Sequence, residues 1–177
     1  MRAHSPRSSS PAVSAAELVM FEQMVKASAN RLYRLAARLL GSTSDAEDVV
    51  QESCFRAFAT FRDPAFTRPE NPMPWLITVV TRVALNTLRE RKRRSARDTA
   101  WQQSRLKSQQ TAEAHVQLGE LSALLEALPE DQRVALVLKE LEGLSTAEIA
   151  TALGCSAGAV EQRIFRARTA LKRRTQS

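Results

Sequence analysis

Apolar residues recur at intervals of three and four along most of this 177-residue chain, which is the spacing of one face of an α-helix. The sequence holds no sustained alternation of apolar and polar residues, the pattern of a half-buried strand. We therefore predict an all-α protein. The pattern separates two small helical domains, residues 15–95 and 116–177, from a disordered tail at 1–14 and a flexible polar linker at 96–115.

The N-terminal domain is predicted to begin with two capped helices. Ser14 to Glu17 (Ser-Ala-Ala-Glu) is a capping box, and the helix it starts ends at Gly41, with a break near Ser28 left open. Ser44 to Glu47 (Ser-Asp-Ala-Glu) is predicted to start the second helix. The outer face of that helix carries Asp45, Asp48, Gln51 and Glu52. One interpretation is that acidic residues near the helix N-terminus stabilise the helix through its dipole. The competing interpretation is that these residues form a protein-docking surface.

Four prolines between Phe61 and Trp75 exclude a continuous helix and predict a stiff loop. The helix after the loop ends in the basic run Arg89–Arg94. Phe66 or Trp75 beside this loop could stack on an unstacked base. The alternative is a core anchor, which we favour for Trp75 rather than for Phe66.

The last third of the chain has the order of a helix-turn-helix. Ser145 to Glu148 (Ser-Thr-Ala-Glu) is a second capping box, and Gly154 ends the helix that it starts. A Gly-Cys-Ser turn leads to an Arg-rich helix with a predicted exposed Phe165. Many two-helix hairpins with a basic face never bind DNA, but the short turn, the small Ala150 at the crossing and the one-sided charge favour DNA.

Charge and cysteine content narrow the classes of function. Residues 82–97 hold seven basic and one acidic residue and residues 161–177 hold six and one, so the rest of this +7 chain is net negative. Two separate basic segments suit a nucleic-acid ligand. Cys54 and Cys155 lie 101 positions apart, and neither belongs to a CxxC motif or has a pair of His residues nearby. We therefore expect neither a metal site nor a disulfide. With no signal peptide and no apolar span, we expect a cytoplasmic protein without membrane insertion.

Three motifs carry a resemblance to a known family. They are Asp45-Ala-Glu-Asp-Val-Val-Gln-Glu52, the Trp75–Arg82 helix with Asn86 and Leu88-Arg89, and Leu128-Pro-Glu-Asp-Gln-Arg133 followed by Glu140–Ala150. In this order they resemble a bacterial sigma factor of the sigma-70 superfamily. The absence of other domains makes the chain similar to the extracytoplasmic function group, which keeps a region 2 helical bundle and a region 4 helix-turn-helix. The resemblance covers residues 15–95 and 116–174.

The resemblance implies a transcription initiation factor with no enzymatic activity and no cofactor. Its partners would be core RNA polymerase, through the clamp helices of the largest subunit and the flap region, promoter DNA and an anti-sigma factor. The implied polymerase-binding residues are Asp45, Asp48, Gln51 and Glu52. The implied minus-ten residues are Phe66, Arg68, Asn71, Trp75, Arg82, Asn86, Arg89 and Arg93. The implied minus-thirty-five residues are Ser156, Glu161, Gln162, Arg163, Phe165, Arg166, Arg168 and Lys172.

Two positions depart from the family's pattern. Val83 stands where many relatives have Asn, and Glu161 stands where a basic residue is common. A carboxylate cannot pair with guanine O6 and N7 but can accept from the cytosine amino group, which predicts an altered minus-thirty-five preference. Two rival functions remain: a stand-alone helix-turn-helix regulator, and a non-DNA interaction module that binds polymerase or a regulator as an inactive decoy.

Overall fold

The computed structural model describes residues 14–101 and 123–175, and these residues are almost entirely helical. The elements are α1 (Ala15–Leu40), α2 (Thr43–Phe61), α3 (Met73–Trp101), α4 (Glu130–Leu136), a π-helical turn (Val137–Leu141), α5 (Thr146–Leu153) and α6 (Ala157–Thr175). Residues 123–126 are also helical. No strand occurs within the two described stretches, so the all-α prediction is confirmed. The predicted tail, apart from residue 14, and linker residues 102–115 lie outside the described residues.

The N-terminal domain is a bundle in which α1, α2 and α3 pack against one another. Its core includes Leu35 and Leu39 of α1 and Ile77 and Val80 of α3, all fully buried. The break that was left open in α1 is absent. Ser28 lies inside a continuous helix, and its hydroxyl donates to the carbonyl of Met24 at 2.8 Å, so the polar side chain is satisfied without disturbing the backbone.

Helix α2 begins earlier than the sequence pattern indicated. The capping box of Ser14 and Glu17 forms as predicted on α1, and Gly41 ends that helix with φ +67°. The chain then turns at once, because Ser42 is the N-cap of α2 and its side chain accepts from the backbone N–H of Asp45 at 3.3 Å. The predicted start at Ser44 is therefore wrong: a left-handed glycine followed directly by a capping serine leaves no room for a longer connection.

Within the described residues helix α3 reaches Trp101, past the predicted start of the linker at residue 96. The sequence between 96 and 101 contains neither Gly nor Pro, the residues that most often end a helix.

The C-terminal domain contains the predicted helix-turn-helix in α5 and α6. Ser145 and Glu148 form the predicted capping box, and Gly154 ends α5 at φ +64°. Ser156 then caps α6, accepting from the backbone N–H of Ala159 at 3.2 Å. The predicted buried stripe of α6 is confirmed at Val160, Ile164 and Ala167, while Leu171 is half-buried.

Replacing Ser145 with Ala is expected to lower the free energy of unfolding by about 1 kcal/mol, the usual cost of losing an N-cap side chain. The hydrogen bonds from Ser145 lower the pKa of Glu148 from 4.5. The stability that these hydrogen bonds contribute is therefore fully present above pH 4.5. It is lost as the pH falls through the lowered pKa that Glu148 has in the folded protein. Urea unfolding at pH 7 and pH 3 measures both effects. A Glu148→Gln control keeps the box but should remove its pH dependence.

The π-helical turn between α4 and α5 is a feature that the sequence pattern did not predict. The backbone N–H of Glu142 donates to the carbonyl of Val137 at 3.1 Å, five residues back. Glu140 and Glu142 consequently leave the turn in different directions. Glu140 pairs with Arg168 of α6, and Glu142 pairs with Arg31 of α1.

The two domains also contact each other, which the prediction of a flexible tether did not include. Helix α3 packs against α5, and α1 packs against the π-helical turn. One cluster of buried apolar residues extends from Leu32 of α1 through Leu85 of α3 to Ile149 of α5. The described residues therefore form a closed arrangement in which the two domains share an interface.

Candidate functional site

The outward face of α2 presents acidic and polar side chains beside an exposed aromatic ring. Asp48, Gln51 and Glu52 are all exposed, and Glu52 is paired with Arg56 at 2.7 Å. Phe55 is 64% exposed and continues the same face, since residues at i, i+4 and i+7 of a helix share one side. Sequence reasoning missed Phe55, although its spacing from Asp48 was the available signal. We call Asp48, Gln51, Glu52 and Phe55 the α2 face.

Asp45 does not belong to the α2 face. Its carboxylate forms an ion pair with Arg91 of α3, and the side chain is half-buried. Burial and the neighbouring charge of Arg94 lower the pKa of Arg91. Asp45 therefore connects α2 to α3, and the sequence pattern could not separate it from its exposed neighbours because the partner lies more than forty positions away.

The proline loop of residues 62–72 carries an aromatic pair at its junction with α3. The ring centroids of Phe66 and Trp75 are 5.0 Å apart, and the ring planes are inclined at 38°. Trp75 packs against the hydrophobic core and is half-buried, which agrees with its interpretation as an anchor. Asn71 precedes α3, and its side-chain oxygen accepts from the backbone N–H of Met73 at 3.1 Å. Trp75 thus anchors the loop, and Phe66 rests on it.

Arg68 ties the same loop to the start of α1. Its Nη2 lies 2.5 Å from Oε1 of Glu17, and its guanidinium lies 4.3 Å from the ring centroid of Phe61. The hydrogen bond from Arg68, followed by those from Ser14, lowers the pKa of Glu17. Arg68 is therefore engaged within the protein, where the sequence indicated only a basic residue in a loop.

Helix α3 carries a line of polar side chains along one exposed face. Arg82, Asn86, Arg89 and Arg93 occur at i, i+4, i+7 and i+11, and all four are exposed. Nη2 of Arg82 donates to the carbonyl of Thr151 in α5 at 3.0 Å. We call these four residues the α3 stripe. Val83, in contrast, is 4% exposed and lies in the core.

The second helix of the helix-turn-helix has an outer face and a flank. Glu161, Gln162, Phe165 and Arg166 are exposed, with Phe165 71% exposed as predicted. We call these four residues the α6 face.

The flank of α6 holds arginines that are bonded within the domain. Nε of Arg163 lies 3.4 Å from Oδ2 of Asp131, and its Nη1 donates to Sγ of Cys155 at 3.3 Å. Arg168 pairs with Glu140. Lys172 is exposed one turn further on, and Ser156 serves as the helix cap.

The described residues contain no cluster of three or more His, Cys, Asp or Glu side chains arranged to hold a metal ion. Cys54 and Cys155 are free and half-buried, and burial raises the pKa of Cys54. No helix in the described part of the chain has both the length and the apolar content to cross a membrane.

Family models match both domains. The model of sigma-70 region 2 matches residues 24–94, and the model of sigma-70 region 4 matches residues 118–171. The α2 face, the proline loop and the α3 stripe lie in the first match. The α6 face lies in the second.

Curated relatives agree with these matches. The chain is 34% identical to the ECF RNA polymerase sigma factor EcfG of Rhodopseudomonas palustris, over 79% of this chain and 76% of the relative. It is 34% identical to the RNA polymerase sigma-H factor of Pseudomonas aeruginosa, over 88% and 86%. It is 33% identical to the ECF RNA polymerase sigma factor SigE of Mycolicibacterium smegmatis over 89% of this chain, but it spans only 62% of that relative's length.

Solved structures show the same fold. The sigma factor RpoE of Bartonella quintana, in complex with the anti-sigma factor NepR, aligns with a TM-score of 0.68 at 26% identity over 87% of this chain and 95% of that one. CnrH, in complex with the cytosolic domain of CnrY, aligns with a TM-score of 0.63 at 28% identity over 90% and 89%. The chain belongs to the sigma-70 family, in the extracytoplasmic function group of sigma factors.

Proposed function

We propose that this chain initiates transcription by binding core RNA polymerase and directing it to promoters that contain a minus-ten and a minus-thirty-five element. The observation that carries the proposal is the presence of three exposed surfaces of different chemistry on one family scaffold. The α2 face is acidic and aromatic, the α3 stripe is basic and adjoins an aromatic loop, and the α6 face belongs to a helix-turn-helix.

The α2 face is the proposed polymerase-docking surface. Asp48, Gln51 and Glu52 would meet the clamp helices of the largest subunit, with the C-terminal domain near the flap region. An exposed Phe among acids supports docking, because an apolar ring at the centre of a charged patch gains free energy when a partner covers it. Asp45 is left out of the proposal, since it is half-buried and its pair with Arg91 joins α2 to α3, whereas Glu52 is exposed and its partner Arg56 lies on α2 itself.

The proline loop and the α3 stripe are the proposed minus-ten reader. The tilted pair of Phe66 and Trp75 offers an aromatic surface to an unstacked base, and stacking of this kind contributes about 1 to 3 kcal/mol per base. Arg82, Asn86, Arg89 and Arg93 would follow the phosphate backbone of the opened strand. Arg68 and Asn71 shape the loop through their contacts with Glu17 and Met73.

The α6 face is the proposed minus-thirty-five reader, entering the major groove. Gln162 and Arg166 carry donors that can reach base edges or phosphates, and Phe165 can contact a thymine methyl group. Arg163 and Arg168 are placed beside the groove but are bonded to Asp131 and Glu140. We therefore assign direct readout to the outer face rather than to the flank.

Replacing Glu161 with Arg is expected to change the preferred base at one minus-thirty-five position from cytosine to guanine. A carboxylate accepts from the cytosine amino group, whereas Arg pairs with guanine O6 and N7, and the difference is worth about 1 to 3 kcal/mol. A series of base-substituted promoters transcribed with core polymerase measures the shift. Ala159→Ser on the same helix is the control. An unchanged base preference in the Glu161→Arg chain would contradict this assignment.

The chain itself makes and breaks no covalent bond in this proposal. Binding free energy from docking and from two DNA contacts would favour the opened duplex, and polymerase would supply the active site. Because it acts on polymerase, we place the chain in the cytoplasm. The complex of the sigma factor RpoE with the anti-sigma factor NepR supports an anti-sigma factor as a further partner.

Reconstituted transcription tests the whole proposal. Purified core polymerase is mixed with the chain and a promoter library, and the transcribed sequences should share two spaced elements. A chain that protects promoter DNA equally well without polymerase would instead be a stand-alone helix-turn-helix regulator. A chain that binds polymerase but starts no transcript would be a decoy.

A further inference from the structure

Glu17 holds two parts of the N-terminal domain with one carboxylate. Its Oε2 accepts from the backbone N–H of Ser14 at 3.1 Å and from the Ser14 hydroxyl at 3.0 Å, which completes the capping box of α1. Its Oε1 accepts from Nη2 of Arg68 at 2.5 Å. The first turn of α1 and the proline loop, 51 positions apart in the sequence, are therefore joined through a single side chain.

Arg68 is held from a second direction by α2. Its guanidinium lies 4.3 Å from the ring centroid of Phe61, a buried residue at the end of that helix. The face of an aromatic ring attracts a planar cation, so this contact adds to the ion pair with Glu17. Pro69 follows directly and restricts the backbone of Arg68 to extended conformations. Both the side chain and the backbone of Arg68 are thus constrained.

The aromatic ring of the loop lies only two residues before this anchor. Phe66 rests on Trp75 of α3, with 5.0 Å between the ring centroids, and Thr67 between the two anchors is exposed. Within three residues the loop therefore contacts α3 through Phe66 and contacts α1 and α2 through Arg68. Releasing Arg68 would leave the loop held on one side only, so the position of the Phe66 ring depends on the contacts of Arg68.

We infer that Glu17 is a positioning residue for the minus-ten reader: by holding Arg68, it fixes where the proline loop presents the Phe66 ring to an unstacked base. The inference rests on the proposed function for the identity of the ligand, but not for the contact between α1 and the loop. An ordered loop loses less conformational freedom on binding than a mobile one, so the contact should raise affinity. Stacking also requires aligned rings, so the contact should sharpen the choice of base.

Glu17→Gln separates this role from simple electrostatics. Gln keeps the shape of the side chain and can still complete a capping box, but it cannot form an ion pair with Arg68. If only charge matters, removing a carboxylate and freeing an arginine should strengthen binding to DNA. If Glu17 positions the loop, the same substitution should weaken binding. The two explanations therefore predict changes of opposite sign.

Two matched controls make the same chemical changes elsewhere. Glu22→Gln removes an exposed carboxylate of α1 whose partner, Lys26, lies on α1 itself. Arg62→Gln removes a guanidinium that lies 5.6 Å from the ring centroid of Phe58, four residues earlier in the chain. Each control changes one charge and one local contact, and neither of these contacts joins the loop to α1.

The first measurement is tryptophan fluorescence of the free, full-length chain. The chain has two tryptophans, so a Trp101→Phe background leaves only Trp75, which is in contact with Phe66. The acrylamide quenching constant of Trp75 is expected to rise about twofold in Glu17→Gln and in Arg68→Gln, because the loop then opens locally and uncovers the ring. The two controls should match the background chain. Unchanged quenching in both Glu17→Gln and Arg68→Gln would overturn the inference.

The second measurement is the binding of single-stranded non-template oligonucleotides by the complex of the chain with core polymerase. Each oligonucleotide carries a different base at one minus-ten position. Glu17→Gln is expected to bind the preferred oligonucleotide about threefold more weakly and to discriminate less among the bases, which is within the range for loss of an exposed ion pair. The double variant Glu17→Gln with Arg68→Gln should lose no more affinity than Arg68→Gln alone, because both changes act through one contact.

The outcomes of the binding experiment separate the inference from the proposed function. Equal or tighter binding by Glu17→Gln would show that Glu17 acts through its charge alone, and the inference would be wrong. A wild-type complex without base preference at any minus-ten position would instead contradict the proposed reader. In that case the quenching result still decides whether Glu17 holds the loop.

Discussion

A chain carrying both Asp48→Arg and Glu52→Arg is expected to bind core RNA polymerase at least about 100-fold more weakly than the wild type, because coupling across a close interfacial charge pair is worth about 1.5 kcal/mol or more. Both side chains are exposed on the α2 face, and both point away from the core. Reversing their charge replaces attraction with repulsion against a basic partner. Fluorescence binding titrations with labelled chain measure the loss, and the circular dichroism spectrum should be unchanged.

Glu70→Arg with Glu90→Arg is the control for charge. Both residues are exposed acids of the N-terminal domain, but Glu70 lies in the proline loop and Glu90 lies on α3, so neither belongs to the α2 face. This control changes the net charge of the chain by the same amount. It should weaken binding less than about threefold, since it acts only through the screened overall field. Equal losses in the two double variants would show that net charge, and not the α2 face, governs docking.

Replacing Arg166 with Ala is expected to weaken promoter binding by the complex with polymerase about tenfold or more. Arg166 is exposed on the α6 face, so its charge is available to DNA. If it contacts a phosphate, the slope of log affinity against log salt should fall by about 1, and all promoter sequences should weaken alike. If it contacts a base, selectivity at one position should relax instead.

Arg168→Ala is the matched comparison, two positions along the same helix. Because Arg168 is paired with Glu140, its use on DNA would first require breaking an ion pair within the domain. We expect a loss of less than about threefold and little change in the salt slope, because Arg168 lies about 160° around α6 from Arg166 and so points to a different side of the helix. Electrophoretic mobility shifts over a range of salt concentrations measure both variants. A larger effect of Arg168→Ala than of Arg166→Ala would show that the flank, and not the outer face, reads the DNA.

The sequence pattern predicted best those features that arise within a few neighbouring residues. Ser14 and Ser145 form their capping boxes, and Gly154 ends α5 where expected. Phe165 is exposed as its helical position indicated. The start of α2 was misplaced because Ser44 and Glu47 have the spacing of a capping box, whereas the tight turn after α1 makes Ser42 the N-cap.

The candidate surfaces were predicted less completely than the helices. A helical period assigns Asp48, Glu52 and Arg166 to outer faces, and the structure agrees. Helical periodicity cannot show that Asp45 is paired with Arg91, because the pattern is the same for a charged side chain in water and for one paired with another helix. The sequence pattern also did not identify Phe55 as an exposed residue, since an aromatic residue in an amphipathic helix is ordinarily assigned to the core.

The sequence by itself determined most of the helices, the capping boxes at Ser14 and Ser145, the helix-turn-helix and the family, because hydrophobic periodicity and capping act over three or four residues. Only the tertiary structure decided which charged groups are engaged within the protein. Arg68 meets Glu17 across 51 positions, and Arg31 meets Glu142 across 111. Such contacts depend on how whole helices pack, and no local pattern records that packing. The same packing brings the two domains together, so the contacts of Arg31 with Glu142 and of Arg82 with Thr151 could not be derived from the sequence.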